Sequence, residues 1–253
     1  MEQLTEVTEK EIEVRTADGV SDGYVYSPKS KEALPGVVLL TDIGGLRAAY
    51  RDSGKRLASN GYVVLMPNVF YRTGRPPVLA YPIKMGDEAT MKRIGELRAG
   101  LPPAAMERDG VACVEFLGKQ PGVKNGPIGV VGYCFAGPMA LRIAAAMRGK
   151  VAAVASFHGA GLYTEDPTSP HKELPRIKST RLYFGHAVED RSMPKEAIEK
   201  FEQALATWAG KYESETYEGA HHSWTTLDSP VYNKPQAERA FEKLVELFGA
   251  TLK

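Results

Sequence analysis

Residues 129–137 read Gly-Val-Val-Gly-Tyr-Cys-Phe-Ala-Gly. The apolar run Ile128 to Val131 predicts a buried strand, and Met139, Ala140, Ile143, Ala144 and Met147 predict a helix one turn later. Between them stands one reactive side chain, Cys134. Strand, one-residue bend and helix form a nucleophile elbow, which lifts the bend residue clear of the sheet. Such a bend strains its backbone and needs small neighbours so that strand and helix can approach. Gly132, Ala136 and Gly137 supply them. The usual spacing is Gly-x-nucleophile-x-Gly; here Ala136 holds the fifth position and Gly137 comes one residue late. Pro138 falls in the first helical turn, where an N–H has no intrahelical acceptor to lose. Cys134 therefore sits at the positive end of a helix dipole, which favours an anion. A buried structural cysteine in an ordinary βα unit is the competing reading, and the rest of the chain must choose.

The remaining residues alternate strands and helices. Glu11 to Arg15 and Gly23 to Tyr26 predict two paired edge strands around the turn at Ala17-Asp18-Gly19. Val37 to Leu40 and Tyr62 to Met66 are continuous apolar runs, suited to strands buried on both faces. A helix is expected from about Arg47 to Ser59, closed by Asn60-Gly61. Residues 68–103 are irregular, with a short helix near Glu88 to Leu97, and are expected to form a lid or pocket wall. The next helix, about Ala104 to Gly118, aligns Met106, Gly110, Cys113 and Leu117 on one face, which makes Cys113 a core residue. Further strands are expected at Val151 to Phe157, Arg181 to Phe184 and Tyr212 to Tyr217, with a loop running to Ser179. Helices follow Pro194 and close the chain. The pattern predicts one α/β domain over residues 1–253, with a mostly parallel central sheet flanked by helices.

Sites in such sheets form at the carboxyl ends of strands. Cys134, Asp190 and His222 each follow a predicted strand, in the order nucleophile, acid, histidine, which is the chain order of α/β-hydrolases. Three placements that agree weigh more than the elbow alone. Asp190 could otherwise cap the helix after it. His222 could be a core or loop histidine, and His221 beside it is the nearest confusion.

Composition narrows the function class. The 253 residues carry a net charge of +1, with acidic and basic residues interleaved, which gives no reason to expect a nucleic acid or an anionic membrane as partner. Two cysteines make neither a disulfide framework nor a zinc pattern, and no His-x-x-x-His spacing suggests a metal. The polar segment Met1 to Lys10 lacks the apolar core of a signal peptide. A cytoplasmic protein, monomeric or a small homo-oligomer, is expected.

With these residues in place, the chain from about Pro35 to its C-terminus resembles the dienelactone hydrolase family of α/β-hydrolases. The resemblance rests on Val131-Gly132-Tyr133-Cys134, on the Gly-x-x-x-x-Asp stretch ending at Asp190, and on His222-Ser223-Trp224. It implies a Cys-His-Asp triad that opens lactones or small esters through a thioester, without cofactor or metal. Cys134 would be the nucleophile, His222 the general base and acid, and Asp190 the group that orients the imidazole. The backbone N–H groups of Phe135 and Ile43 would form the oxyanion hole. Asp42 stands where the family has a glutamate that holds the resting thiol, and is one methylene shorter. Tyr133 and Trp224 would touch substrate. The family's arginine a few residues beyond the histidine is missing, since the chain reads Trp224-Thr225-Thr226, so Arg72, Arg93 or Arg98 would meet a substrate carboxylate. A Cys-His-acid amidotransferase is a weaker fit, because it would need a glutamate where Trp224 stands. A hydrolase-fold binding protein that no longer turns its ligand over is the alternative outside catalysis.

Overall fold

The computed structural model describes residues 6–253; Met1 to Thr5, part of the segment read above for a signal peptide, lie outside the described residues. Eight strands form one sheet in the order β1-β2-β4-β3-β5-β6-β7-β8. The strands β1 (Val7–Thr16) and β2 (Gly19–Pro28) form an antiparallel hairpin, and β2 also pairs antiparallel with β4 (Val63–Pro67). From β4 onward the neighbours β3 (Gly36–Leu40), β5 (Ile128–Tyr133), β6 (Val151–Phe157), β7 (Arg181–His186) and β8 (Tyr212–Thr216) are all parallel. This is the mostly parallel α/β sheet that the alternation of apolar runs predicts.

The apolar residues of the strands split by parity. Val38, Leu40, Val130, Val154 and Phe184 face one layer, built by α2 (Glu88–Ala99), α3 (Pro103–Gly118), α4 (Ala136–Ala146) and α5 (Lys195–Trp208). Val37, Leu39, Val131, Tyr133 and Phe157 face the other, built by α1 (Ala48–Ser59) and α6 (Lys234–Leu252). Strands covered on both faces need no polar alternation, which is why β3, β4 and β5 read as unbroken apolar runs.

Two expectations change. Of the hairpin strands only β1 is an edge; β2 lies inside the sheet because Gly23 lets its backbone close on Met66 and Pro67, where a Cβ would come within 2.5 Å of the Met66 carbonyl oxygen. The long loop before Ser179 contains a 3₁₀ helix, Pro170–Arg176, whose Leu174 is buried. Its Pro170 start and proline-broken interior give no helical apolar period to read. Residues 68–103 carry the helix α2 and several buried side chains. Phe70, Val78 and Leu79 are buried, and the Phe70 ring lies 5.2 Å from that of Phe135, next to Cys134. Cys113 is buried in α3, as its helical face predicts.

Candidate active site

The bend after β5 has the strained geometry that the small residues foretell. Cys134 has φ 56°, in the left-handed region. Its carbonyl accepts from the N–H groups of Gly137 and Ala160, and its N–H donates to Phe157, so the bend is held from three sides. A Cβ on Gly132 would sit 2.1 Å from the Ala136 carbonyl oxygen, and one on Gly137 would sit 2.2 Å from Ser156 Oγ. Neither position accepts alanine without movement, so the displaced glycine of the motif still serves the close strand–helix approach. The described residues with positive φ other than glycine are Cys134, His158, Glu189, Ala209 and Ser223. All but Ala209 lie at the carboxyl ends of β5, β6 and β7 or beside His222, so the strain gathers where these loops converge.

The three residues separated in sequence meet there. His222 Nδ1 lies 2.6 Å from Asp190 Oδ2. The imidazole also hydrogen-bonds the Cys134 side chain. Burial pulls the imidazole towards its neutral form, but Asp190 and Cys134 overcome this and push its pKa up to about 10. Asp190 is buried, which would raise its pKa. The His222 hydrogen bond and charge, with two bonds from Ser192, instead hold it below the ordinary carboxylate range. Ser192 Oγ and N–H donate to Asp190 Oδ1 at 2.6 and 2.8 Å. This leaves Oδ2 for the histidine. Asp190 is thus hydrogen-bonded to the imidazole through one oxygen and to Ser192 through the other. His221, the other candidate, is exposed to solvent.

Phe135 and Ile43 stand in the turns after β5 and β3, and neither N–H has an acceptor among the described residues.

Several expected site residues have other work. Both Asp42 oxygens face Arg47, at 2.6 and 2.9 Å, and Oδ1 also accepts from the Gly44 N–H, so this carboxylate is spent on its own turn rather than on the thiol. The missing methylene explains this: a short side chain after β3 reaches the following turn more readily than the neighbouring strand end. Arg72 is bidentate to Asp109 and also bound to Asp18. Arg93 bonds the Val78 and Thr73 carbonyls and Glu96, all within residues 68–103. Arg98 is exposed on α2. Tyr133 points into the α1/α6 layer, where strand alternation sends it when the next residue, Cys134, is turned out. Trp224 is fully buried, its ring 5.0 Å from Tyr217 and 5.1 Å from His158.

One residue near the triad, Ser192, escapes the sequence reading. Ser192 carries a legible signal, because Asp-x-Ser after a strand can close on the aspartate. His158 directly follows the predicted strand Val151 to Phe157, which marks it for a pocket wall or a structural bond. Its ring is 5.0 Å from that of His222, buried, with Nε2 2.8 Å from Thr225 Oγ1. Burial first, then the charge of His222, drives its pKa well below the ordinary histidine value. Among the described residues no group of three or more His, Cys, Asp or Glu side chains could hold a metal ion, and no helix is long and apolar enough to cross a membrane.

The model of the dienelactone hydrolase family matches residues 21–252. The chain belongs to the dienelactone hydrolase family. A Synechocystis sp. relative is 30% identical over 234 residues, covering 91% of this chain and 92% of its own. The carboxymethylenebutenolidase of Pseudomonas putida is 25% identical over 238 residues, covering 94% and 95%. Among solved structures, a dienelactone hydrolase-like promiscuous phosphotriesterase from metagenomic libraries superposes with a TM-score of 0.80 at 20% identity, covering 98% of this chain and 99% of its own. The resemblance read from three short motifs thus extends over nearly the whole domain, and the protein is a dienelactone hydrolase-like hydrolase.

Proposed function

We propose that this hydrolase cleaves lactones or small carboxylic esters by covalent catalysis at Cys134. The observation that carries the proposal is the hydrogen-bonded series from Cys134 through His222 to Asp190, with the nucleophile on a strained elbow. Cys134 gives its thiol proton to His222 Nε2 as Sγ attacks the acyl carbon, and the Phe135 and Ile43 N–H groups receive the oxygen as it gains charge. His222 delivers its proton to the departing alkoxide from Nε2, while Asp190 holds Nδ1. In a lactone the alkoxide stays tethered as the ring opens, and the acyl group remains as a thioester. His222 then takes a proton from water, the hydroxide adds to the thioester carbon, and Cys134 leaves as thiolate and is protonated by His222 as the acid is released. None of these steps draws on a cofactor.

Substrate charge follows from the arginines. Arg72 and Arg93 are spent on internal partners, as is Arg47. With these three arginines engaged, uncharged lactones and esters are the substrate class proposed.

The test pairs a lactone and p-nitrophenyl ester screen with acid quench and mass spectrometry. Wild type should hydrolyse activated esters and carry an acyl adduct on the peptide containing Cys134, and iodoacetamide should abolish both. Turnover that survives complete alkylation of Cys134 overturns the mechanism. Absence of any turnover, with ligand binding retained, would instead make the protein a binding module on a hydrolase fold.

A further inference from the structure

A cavity of about 130 Å³ opens on the face of the sheet opposite α3 and α4, between α1 and α6. It contains no member of the triad. Its floor is Leu39, Leu57, Phe157, Ala240 and Leu244, all buried. Tyr133 and Phe157 bring it directly behind the active site, since the residues after them are Cys134 and His158.

Tyr133 brings a hydroxyl to the cavity wall. The residue is 8% exposed, and its hydroxyl has no hydrogen-bond partner among the described residues. A hydroxyl that has no protein partner and lines an open cavity can make one hydrogen bond with a ligand oxygen. The mouth is different in kind. Arg56 donates from Nη1 to Glu238 Oε1 at 2.9 Å and lies 3.8 Å above the Phe241 ring, so its charge is already answered. Asp52 and Glu238 add two acids beside it. An anion entering here meets carboxylates and no uncommitted cation.

Size, floor and rim define one ligand class. A dry apolar cavity of roughly 150 Å³ accepts benzene. We infer that the cavity between α1 and α6 is an accessory binding site for a neutral single-ring compound with one hydroxyl or carbonyl, its ring on the Leu39–Leu57–Leu244 floor and its oxygen on Tyr133. The site is separate from the chemistry proposed at Cys134 and does not depend on it.

Binding of phenol and of toluene, followed by NMR titration, tests the assignment. Phenol should bind wild type and the Cys134-carbamidomethylated protein with dissociation constants within about twofold of each other. Tyr133→Phe should weaken phenol by about five- to tenfold and leave toluene unchanged, the loss of one hydrogen bond. Ala240→Leu should remove both ligands by filling the floor. Should that variant fail to fold, the phenol–toluene contrast in Tyr133→Phe still decides. The inference is overturned if phenol fails to bind up to about 10 mM, if alkylation of Cys134 abolishes binding, or if Tyr133→Phe affects both ligands alike.

Discussion

His158 and His222 make an instructive pair. Each follows a strand in the carboxyl half of the sheet, each lies beside a positive-φ backbone, and their rings are 5.0 Å apart. They are nevertheless held in opposite charge states near neutrality. His222 has a buried carboxylate on one nitrogen and the Cys134 side chain as a further partner, and titrates at about 10. His158 has a threonine hydroxyl on Nε2, an unpaired Nδ1 and the edge of Trp224, and is kept neutral. The difference teaches that position after a strand selects candidates, while the partners of the second nitrogen assign the role. A neutral His158 also spares His222 a second positive charge at close range.

The comparison breaks most sharply under substitution. His222→Ala should lower kcat/KM by a factor of about 10²–10⁴, the worth of a general base. His221→Ala should leave it near wild type. His158→Gln should cost stability and less than about tenfold in turnover, since no proton passes through it. A folded but inactive His158→Gln with an active His222→Ala would reverse the assignment.

Stability against pH sharpens the neutral side of the pair. His186, buried between Phe184 and Phe201, is pulled down to about 4 by burial, against the opposing pull of Asp190. Its folded pKa, like that of His158, lies below the unfolded value near 6.5. The unfolded chain therefore binds more protons in that window, and stability rises with pH across it and is lost as the pH falls. His186 alone should contribute on the order of 3 kcal/mol of acid destabilisation between about pH 6.5 and 4. Denaturant unfolding of wild type and His186→Gln over this range measures it, the variant showing the shallower slope. Equal slopes would mean that the ring is protonated in the fold. His222 has the opposite sign: its stabilisation is complete below about 6.5 and is lost as pH rises through about 10.

The support behind the charged side should matter less. Ser192→Ala removes one hydroxyl from Asp190 and leaves the Ser192 N–H bond in place. Turnover should fall by about tenfold with KM little changed, as for loss of one bond to a charged group. A threonine at this position keeps a hydroxyl donor, whereas an ionised aspartate offers none. Ser192→Thr should therefore retain activity and Ser192→Asp should not. An unchanged kcat in Ser192→Ala removes Ser192 from the positioning of the acid.

The smallest effect is expected at Asp42. With both oxygens on Arg47, Asp42→Asn should leave the pH profile of Cys134 alkylation where wild type has it, while Arg47 keeps its second partner, Asp228, at 2.9 Å. A displaced profile would show that the carboxylate senses the thiol despite Arg47, and would return Asp42 to the resting-state role that the family resemblance implies. Iodoacetamide competition between the two cysteines supplies the control. Cys113 is buried and its thiol is pushed up to about 12, by burial first and then by Asp109, so it should remain unlabelled while Cys134 reacts.

The sequence by itself determined the layered α/β sheet, because buried parallel strands must be apolar throughout and amphipathic helices must cover them. It also determined the elbow and the order of Cys134, Asp190 and His222, because a one-residue bend demands small neighbours and strand ends bring distant residues together. Tertiary structure decided everything that depends on which face a side chain takes and what it finds there. Tyr133 and Trp224 are aromatic neighbours of catalytic candidates, yet strand alternation and the turn after His222 send both into the core. Arg72, Arg93 and Asp42 have the right charges for a substrate site, and each meets a closer partner that the linear chain does not reveal. Local periodicity is short-ranged and survives in a linear reading. Charge pairing is a contest among groups far apart in sequence, and only the folded chain sets the distances that settle it.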